Sequence, residues 1–254
     1  MLKGAIFLDM ENLMRCGGWN IRFDAVRELV EAQGVTVVRA NAYMAVDEER
    51  EEDDEEYRKK KLEYRSAVRR AGFHLVRTKV KRYDNADGET VLKANADVDL
   101  AIDALLQSEN LDYILLGSGD GDFVRLVRAL QNRGKRVDLL SFDNTSTELR
   151  REVDYHFSGF LYPGILPKPD DEADNRKRGF IHMVDEEKGY GFATIKTGFQ
   201  PDDQRTDVFV HITDFRRNLD NEEFARLKTY EDIIEFDLVE NEDGVQAKNI
   251  EVVG

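Results

Sequence analysis

The sequence predicts an α/β fold with a Rossmann-like parallel sheet, followed by a second, smaller all-β domain. Two observations support this prediction. Up to about residue 160, short apolar runs alternate with segments of helical periodicity, which is the pattern of parallel strands joined by right-handed crossovers. Beyond residue 176, short strand-like segments are separated by turns, as in a small closed or partly open β-barrel.

The elements of the first domain follow from its apolar runs. Strands are predicted at residues 4–8, 35–46, 73–80, 113–116 and 136–142. Helices are predicted at residues 23–30, 47–71, 97–107, 122–131 and 145–157, with a polar loop over residues 84–89. The helix over residues 47–71 is acidic in its first half and basic in its second, the order that the helix dipole favours. We expect the strand order 3-2-1-4-5, which makes the first and fourth strands neighbours.

Composition changes after residue 162. Three of the four prolines lie within residues 163–169, and an acidic stretch follows at residues 170–174, so we interpret residues 163–175 as an extended linker. The predicted domains are therefore residues 1–162 and 176–254. In the second domain, strands are expected at residues 179–184, 190–195, 207–212, 233–239 and 245–252.

Overall composition limits the possible functions. The 254 residues carry a formal net charge of −15, which argues against binding to nucleic acid or anionic membranes by bulk charge alone. Cys16 is the single cysteine, so no intrachain disulfide can form. An aspartate comes too early for a signal peptide, and no apolar run approaches the roughly 20 residues that span a bilayer. We therefore expect a cytoplasmic protein.

Acidic residues follow the apolar runs of the first domain. Asp9 follows the first strand, Asp120 and Asp122 follow the fourth, and Asp97 begins a helix. Asn12 adds a neutral amide near Asp9. Because parallel strands present their carboxyl ends at one edge of the sheet, these side chains are expected to converge there. Gathered carboxylates repel one another unless a hard divalent cation lies between them, so we predict a site for Mg²⁺ or Mn²⁺.

Some of these residues have simpler interpretations. An aspartate at a helix start is an ordinary cap, and Ser118 or Asp120 could cap the helix that follows. Asp99 and Asp103 share one helix face at i,i+4, with Asp97 displaced from it. We therefore treat Asp99 and Asp103 as less certain metal ligands than Asp9, Asp97, Asp120 and Asp122.

Three motifs of the first domain together resemble those of NYN domains, which belong to the PIN-like nuclease superfamily. They are Ile-Phe-Leu-Asp-Met-Glu-Asn at residues 6–12, Asp-Val-Asp-Leu-Ala-Ile-Asp at 97–103 and Leu-Leu-Gly-Ser-Gly-Asp-Gly-Asp-Phe at 115–123. The bacterial LabA-like branch is the most similar. The resemblance implies metal-dependent ribonuclease chemistry carried out by a set of catalytic residues. It also implies a role for Asp103, which matches a recurrent position of the family. The catalytic set is Asp9, Asn12, Asp97, Asp120 and Asp122. One departure is Met10, where a glycine is common.

The second domain carries two aromatic motifs, Lys-Gly-Tyr-Gly-Phe-Ala at residues 188–193 and Asp-Val-Phe-Val-His-Ile at 207–212. Side chains two residues apart in a strand share a face, so Tyr190, Phe192, Phe209 and His211 are expected to form a stacking platform for bases. The alternative is that these rings fill the barrel core. The motifs resemble those of cold-shock domains, which are OB-fold barrels, and imply binding of single-stranded RNA with Lys188 at its positive edge.

Met183 stands where that family often has a tryptophan. Residues 176–254 carry 11 basic and 18 acidic residues, so we expect weak, salt-sensitive binding.

These patterns lead to one main hypothesis and two alternatives. The main hypothesis is a ribonuclease that hydrolyses phosphodiester bonds with Mg²⁺ or Mn²⁺, while the barrel holds single-stranded RNA. Lys79, Lys81 and Arg82 could guide the RNA backbone or be plain solvated surface. One alternative is a catalytically silent RNA-binding regulator, and the other is a phosphatase or nucleotide hydrolase that uses the same carboxylates.

Overall fold

A computed structural model describes residues 1–84, 90–167, 176–242 and 244–253. The chain divides into two compact units, Met1–Ser158 and Gly159–Gly254. Residues 159–162, which the sequence assigns to the first domain, belong to the second unit. Within that unit the ring of Phe160 lies 5.4 Å from the guanidinium carbon of Arg178.

The first unit contains eight strands and seven α-helices among its described residues. Its strands are β1 (Leu2–Asp9), β2 (Val35–Val46), β3 (His74–Lys79), β4 (Lys81–Asp84), β5 (Thr90–Lys93), β6 (Tyr113–Gly117), β7 (Arg136–Ser141) and β8 (Tyr155–Ser158). Its helices are α1 (Met10–Arg15), α2 (Phe23–Ala32), α3 (Glu48–Asp53), α4 (Glu55–Arg70), α5 (Ala96–Gln107), α6 (Val124–Gln131) and α7 (Thr147–Glu152).

Six of these strands form one parallel sheet in the order β3-β2-β1-β6-β7-β8. The predicted α/β class and the predicted order of the first five sheet strands are confirmed, and β8 adds a sixth strand. In the central strand β1, every residue from Gly4 to Asp9 is buried, because helices cover both faces of such a sheet. Helices α5, α6 and α7 share one core with Phe7, Leu116 and Leu139.

Two of the predicted helices are wrong in extent. The helix predicted over residues 145–157 ends at Glu152, and Tyr155–Ser158 pairs with β7 instead. At the start of this pairing the N–H of Asp154 donates to the carbonyl oxygen of Val137, and the N–H of Val137 donates to a carboxylate oxygen of Asp154. The helix predicted over residues 47–71 is broken at Asp54, which has an extended backbone and caps α4 through the N–H of Tyr57. Aspartate competes for backbone N–H groups in this way, which favours a cap over a helix interior.

The predicted polar loop over residues 84–89 is partly a hairpin. Strands β4 and β5 pair antiparallel on either side of it, and residues 85–89 lie outside the described residues. Strand β5 is only four residues long and has polar residues at both ends, so it is too short for a periodic pattern to separate a strand from a loop.

The second unit is a closed barrel with the strand order β10-β11-β13-β12-β9, which confirms the predicted OB-fold class. Its strands are β9 (Arg176–Asp185), β10 (Tyr190–Lys196), β11 (Gln204–His211), β12 (Ile233–Asn241) and β13 (Gly244–Val253). Helix α8 (Asn221–Thr229), which the sequence reasoning missed, buries Phe224 and Leu227 and begins with a capping box between Asp220 and Glu223. Among the described residues, no helix is long and apolar enough to cross a membrane.

Candidate functional site

Asp9 occupies the carboxyl end of β1 and is 7% exposed. One carboxylate oxygen accepts the N–H of Asn12 at 3.1 Å, which caps α1, and the other accepts the hydroxyl of Ser118 at 3.1 Å. Burial raises the pKa of Asp9, and the negative charges of Asp120 and Glu11 raise it further, while the two hydrogen bonds lower it. A positive charge beside this carboxylate would therefore stabilise its ionised form.

Asn12 connects helix α1 to the loop that follows β6. Its side-chain carbonyl oxygen accepts the N–H of Gly119 at 2.7 Å, so this oxygen is engaged within the protein. In the same loop, the N–H of Asp120 donates to the hydroxyl of Ser118 at 3.2 Å. Since Ser118 also bonds Asp9, this network fixes the ends of β1 and β6 against each other.

A cleft of about 460 Å³ opens at these strand ends. Its lining includes Asp9, Asn12 and Asp120, and it also includes Asp97 from the first turn of α5. A neighbouring depression of about 430 Å³ shares Asn12 and Asp120 with it. The structure thus brings four of the predicted site residues to one cavity.

The other acidic residues have different surroundings. Asp122 is exposed and does not line the cleft, and its N–H donates to a carboxylate oxygen of Asp120 at 3.0 Å. Asp99 accepts the hydroxyl of Thr78 in β3. Asp103 accepts the hydroxyl of Tyr43 at 2.8 Å, and burial raises the pKa of that tyrosine so that the hydroxyl stays protonated. Asp99 and Asp103 therefore tie α5 to the sheet.

The chemistry of the cleft suits a hard divalent cation, since its acidic lining offers carboxylate oxygens. Within the described part of the chain, no three His, Cys, Asp or Glu side chains are grouped closely enough to hold a metal ion. Mg²⁺ usually keeps several waters and is bound by one or two carboxylates together with substrate phosphates. The residues present fit such a partly hydrated ion.

Several cleft residues were missed by sequence reasoning. They are Glu11, Arg15, Asp47, Arg50, Tyr57 and Lys61. Arg15 could have been found, because it lies one helical turn after Asn12. The members from α3 and α4 had no such signal, because a charged helix usually faces solvent. Of the predicted basic run, Lys79 forms an exposed ion pair with Glu48 at 2.7 Å, and the side chains of Lys81 and Arg82 lie outside the described part.

Four aromatic side chains of β10 and β11 form one outward face of the barrel. Tyr190 pairs with His211 and Phe192 with Phe209 across β10 and β11. All four are half-buried, whereas the residues between them, such as Gly191 and Val210, are buried. The ring of Phe209 lies 5.7 Å from Tyr190, 5.9 Å from Phe192 and 6.3 Å from His211, measured between centroids. The face has the form of a stacking platform.

Two side chains border this aromatic face. Met183 pairs with Phe192 across β9 and β10 and is half-buried, so a flexible thioether borders the rings. Lys188 is exposed, and its ammonium group lies 3.6 Å from the carboxylate of Asp185. The positive edge predicted for the barrel is thus partly neutralised by a neighbouring carboxylate.

A parallel sheet with carboxylates at its strand ends, together with an OB-fold barrel that has an aromatic face, is typical of proteins that bind nucleic acid. Family models support this: the NYN domain model matches residues 3–161, and the "cold-shock" DNA-binding domain model matches residues 177–253. The chain belongs to the NYN domain family and carries a C-terminal cold-shock domain.

Known proteins resemble the two parts separately. The barrel is similar to a cold shock-like protein of Aquifex aeolicus, 39% identical over 77 residues that cover 30% of this chain and 94% of that protein. The first unit is similar to the low amplitude and bright protein LabA of Synechococcus elongatus, 34% identical over 95 residues that cover 36% of this chain and 50% of LabA. The match thus spans half the length of LabA.

A solved structure resembles a larger part of the chain. It is a protein of unknown function from Vibrio parahaemolyticus, with a TM-score of 0.50 and 26% identity, covering 65% of this chain and 96% of the other.

Proposed function

We propose that this protein is a metal-dependent ribonuclease that hydrolyses phosphodiester bonds in single-stranded RNA. The observation that carries the proposal is the convergence of Asp9, Asn12, Asp97 and Asp120 on one cleft at the ends of β1 and β6. These residues come from three separate parts of the sequence. Membership of a nuclease superfamily supports the same chemistry.

In this proposal one or two of the carboxylates of Asp9, Asp97 and Asp120 bind Mg²⁺ or Mn²⁺ directly, and the remaining carboxylates contact it through water. The metal, when bound, lowers the pKa of a water and stabilises the charge that develops on the phosphate. Because Gly119 engages the carbonyl oxygen of Asn12, the amide nitrogen is the part of Asn12 that donates to a phosphate oxygen. Asp122, exposed beside Asp120, contributes as a ligand through water.

The barrel in this proposal holds the RNA by stacking its bases. Tyr190, Phe192, Phe209 and His211 supply the rings, and stacking of this kind tolerates any base sequence. Lys188 contributes positive charge at the edge. A reducing cytoplasm suits a chain whose single cysteine, Cys16, is buried.

Cleavage of end-labelled single-stranded RNA tests the proposal. Purified full-length protein should cut RNA with Mn²⁺ and not with EDTA. Asp120→Asn should lower the rate by at least about 100-fold, since loss of an outer-shell partner of a metal already costs about 10–100-fold. The matched control is Asp112→Asn, because Asp112 lies exposed at the opposite end of β6 and its side chain accepts the N–H of Lys3.

The control should cut like the wild type. Equal cleavage by Asp120→Asn and the wild type would mean that the activity comes from elsewhere. Turnover of small phosphate esters without RNA cleavage would indicate a phosphatase instead.

One observation favours the second candidate, a catalytically silent RNA-binding regulator. Both carboxylate oxygens of Asp9 already accept hydrogen bonds within the protein, from Asn12 and Ser118. A cleft fixed in this way could recognise a partner without binding a metal. Binding of RNA without cleavage in Mg²⁺ and Mn²⁺ would support this candidate.

A further inference from the structure

The cleft has a second wall, which the acidic motifs do not include. Helices α3 and α4 lie in the connection between β2 and β3, and they place Arg50, Tyr57 and Lys61 in the lining of the cavity that Asp9 and Asp120 also line. We name these three residues the basic wall. It adds two cations, close to one aromatic ring, to a cavity whose other charged lining residues are Arg15 and five carboxylates.

Buried and capping contacts fix the basic wall in place. Arg65 of α4 is 3% exposed and forms a two-pronged ion pair with Glu51 of α3. The carboxylate of Asp54 accepts the N–H of Tyr57 at 2.9 Å and starts α4. Because both helices are held at their junction, the side chains that they present to the cleft start from a rigid base.

Tyr57 holds the two cations of the wall. The guanidinium carbon of Arg50 lies 4.2 Å from the centroid of the Tyr57 ring, and the ammonium nitrogen of Lys61 lies 5.3 Å from it. These distances are within the range of cation–π attraction. The ring thus limits the freedom of two long side chains that would otherwise have to be ordered when a ligand binds.

We propose that Arg50 and Lys61 bind phosphate groups of the nucleic-acid strand next to the phosphate at the carboxylates, and that Tyr57 is a positioning residue for both. The identity of the polymer rests on the proposed function. A chain with a net charge of −15 repels a polyanion, so local cations are needed to bring phosphates to an acidic site. The guanidinium fork of arginine matches phosphate geometry, and lysine adds a compact point charge.

The size of the cleft fits this class of ligand. Its volume of about 460 Å³ falls within the roughly 300–1,000 Å³ of sites that enclose a small ligand. A single strand can therefore place one phosphate at Asp9 and Asp120 and a neighbouring phosphate at the basic wall.

Binding of fluorescein-labelled hexauridylate to full-length protein tests this inference. The measurement is fluorescence anisotropy in EDTA at several salt concentrations, in a Phe192→Ala/Phe209→Ala background that weakens binding by the barrel. Lys61→Gln and Arg50→Gln should each lower the affinity. Each should also reduce the slope of log affinity against log salt by about 0.7, the value for one lost phosphate contact on a single strand.

The matched control is Lys60→Gln. Lys60 is the neighbour of Lys61 on α4, carries the same charge and pairs with Glu56 on the exposed surface at 2.7 Å. It should change neither affinity nor slope. Tyr57→Phe keeps the ring and should bind like the parent, whereas Tyr57→Leu should bind more weakly. Equal binding by Lys61→Gln and Lys60→Gln, or parent-like binding by Tyr57→Leu, would overturn the inference.

Cleavage assays separate this inference from the proposed function. In Mn²⁺, Lys61→Gln should raise KM several-fold with kcat unchanged, since uniform binding is lost. A wild type that cuts no RNA would overturn the proposed function, and the anisotropy result alone would then decide the inference. An active enzyme with an unchanged KM in Lys61→Gln would overturn the inference and leave the proposed function standing.

Discussion

Replacing Phe209 by alanine removes the central ring of the barrel's aromatic face. The centroid of Phe209 lies within 6.3 Å of the ring centroids of Tyr190, Phe192 and His211. Its removal therefore leaves a gap in the middle of the aromatic face. A base stacked on such a ring contributes about 1–3 kcal/mol. At 1.4 kcal/mol for each factor of ten, Phe209→Ala should weaken binding of single-stranded RNA by about 5- to 150-fold.

The assay is fluorescence anisotropy with a labelled oligouridylate and, in parallel, an oligothymidylate, which shows whether the face distinguishes RNA from DNA. The control is Tyr230→Ala, because Tyr230 follows α8 in the same unit and is 68% exposed. It should bind like the wild type. Phe209 is half-buried on the outer face, so the variant should keep the far-UV spectrum of the wild type. Wild-type affinity in a folded Phe209→Ala variant would refute the stacking platform.

Three further predictions concern stability. Burial and the charge of Arg150 lower the pKa of His156 from 6.5 to about 4. Between these pH values the unfolded protein therefore binds more protons than the folded protein. The free energy of unfolding should fall as the pH drops from about 6.5 to about 4, by at most about 3 kcal/mol. His156→Gln should flatten this dependence in denaturant titrations. Asn12→Ala should lower the free energy of unfolding by about 1–3 kcal/mol, because it leaves the N–H of Gly119 unpaired. Hydrogen exchange of the Gly119 amide should then be faster, whereas Asn12→Asp should keep this amide protected. Gly191→Ala would place a Cβ 2.3 Å from the backbone oxygen of Met183 and should lower the Tm of the barrel.

The order of the first five sheet strands was predictable because the central strands β1 and β6 are mostly apolar, whereas β8, with the sequence Tyr-His-Phe-Ser, was missed. Strand β2 matches its predicted bounds, and β1 is buried along its length from Gly4 onward. Helix α8 was not predictable in the same way, because it depends on two apolar side chains, Phe224 and Leu227, among charged residues. The break at Asp54 was missed because charge periodicity continues across it, although the side chain itself is a strong cap.

The candidate site was partly predictable for a geometric reason. Asp9 ends β1 and Asp120 lies in the loop after β6. The predicted order makes these two strands neighbours, so the meeting of the two side chains followed from topology. The basic wall did not follow, because Arg50 and Lys61 reach the cleft only through the packing of α3 against α4, which depends on the buried pair of Glu51 and Arg65. A charged helix read from the sequence gives no indication of which face it turns toward a cavity.

Diffraction from a crystal soaked in Mn²⁺ shows whether the cleft is a metal site for phosphodiester hydrolysis. We expect an anomalous peak in the cleft, between the carboxylates of Asp9, Asp97 and Asp120, and its loss in crystals of Asp120→Asn. If Mn²⁺ occupies other sites of the same crystal but the cleft shows no anomalous peak, the proposed metal site is wrong.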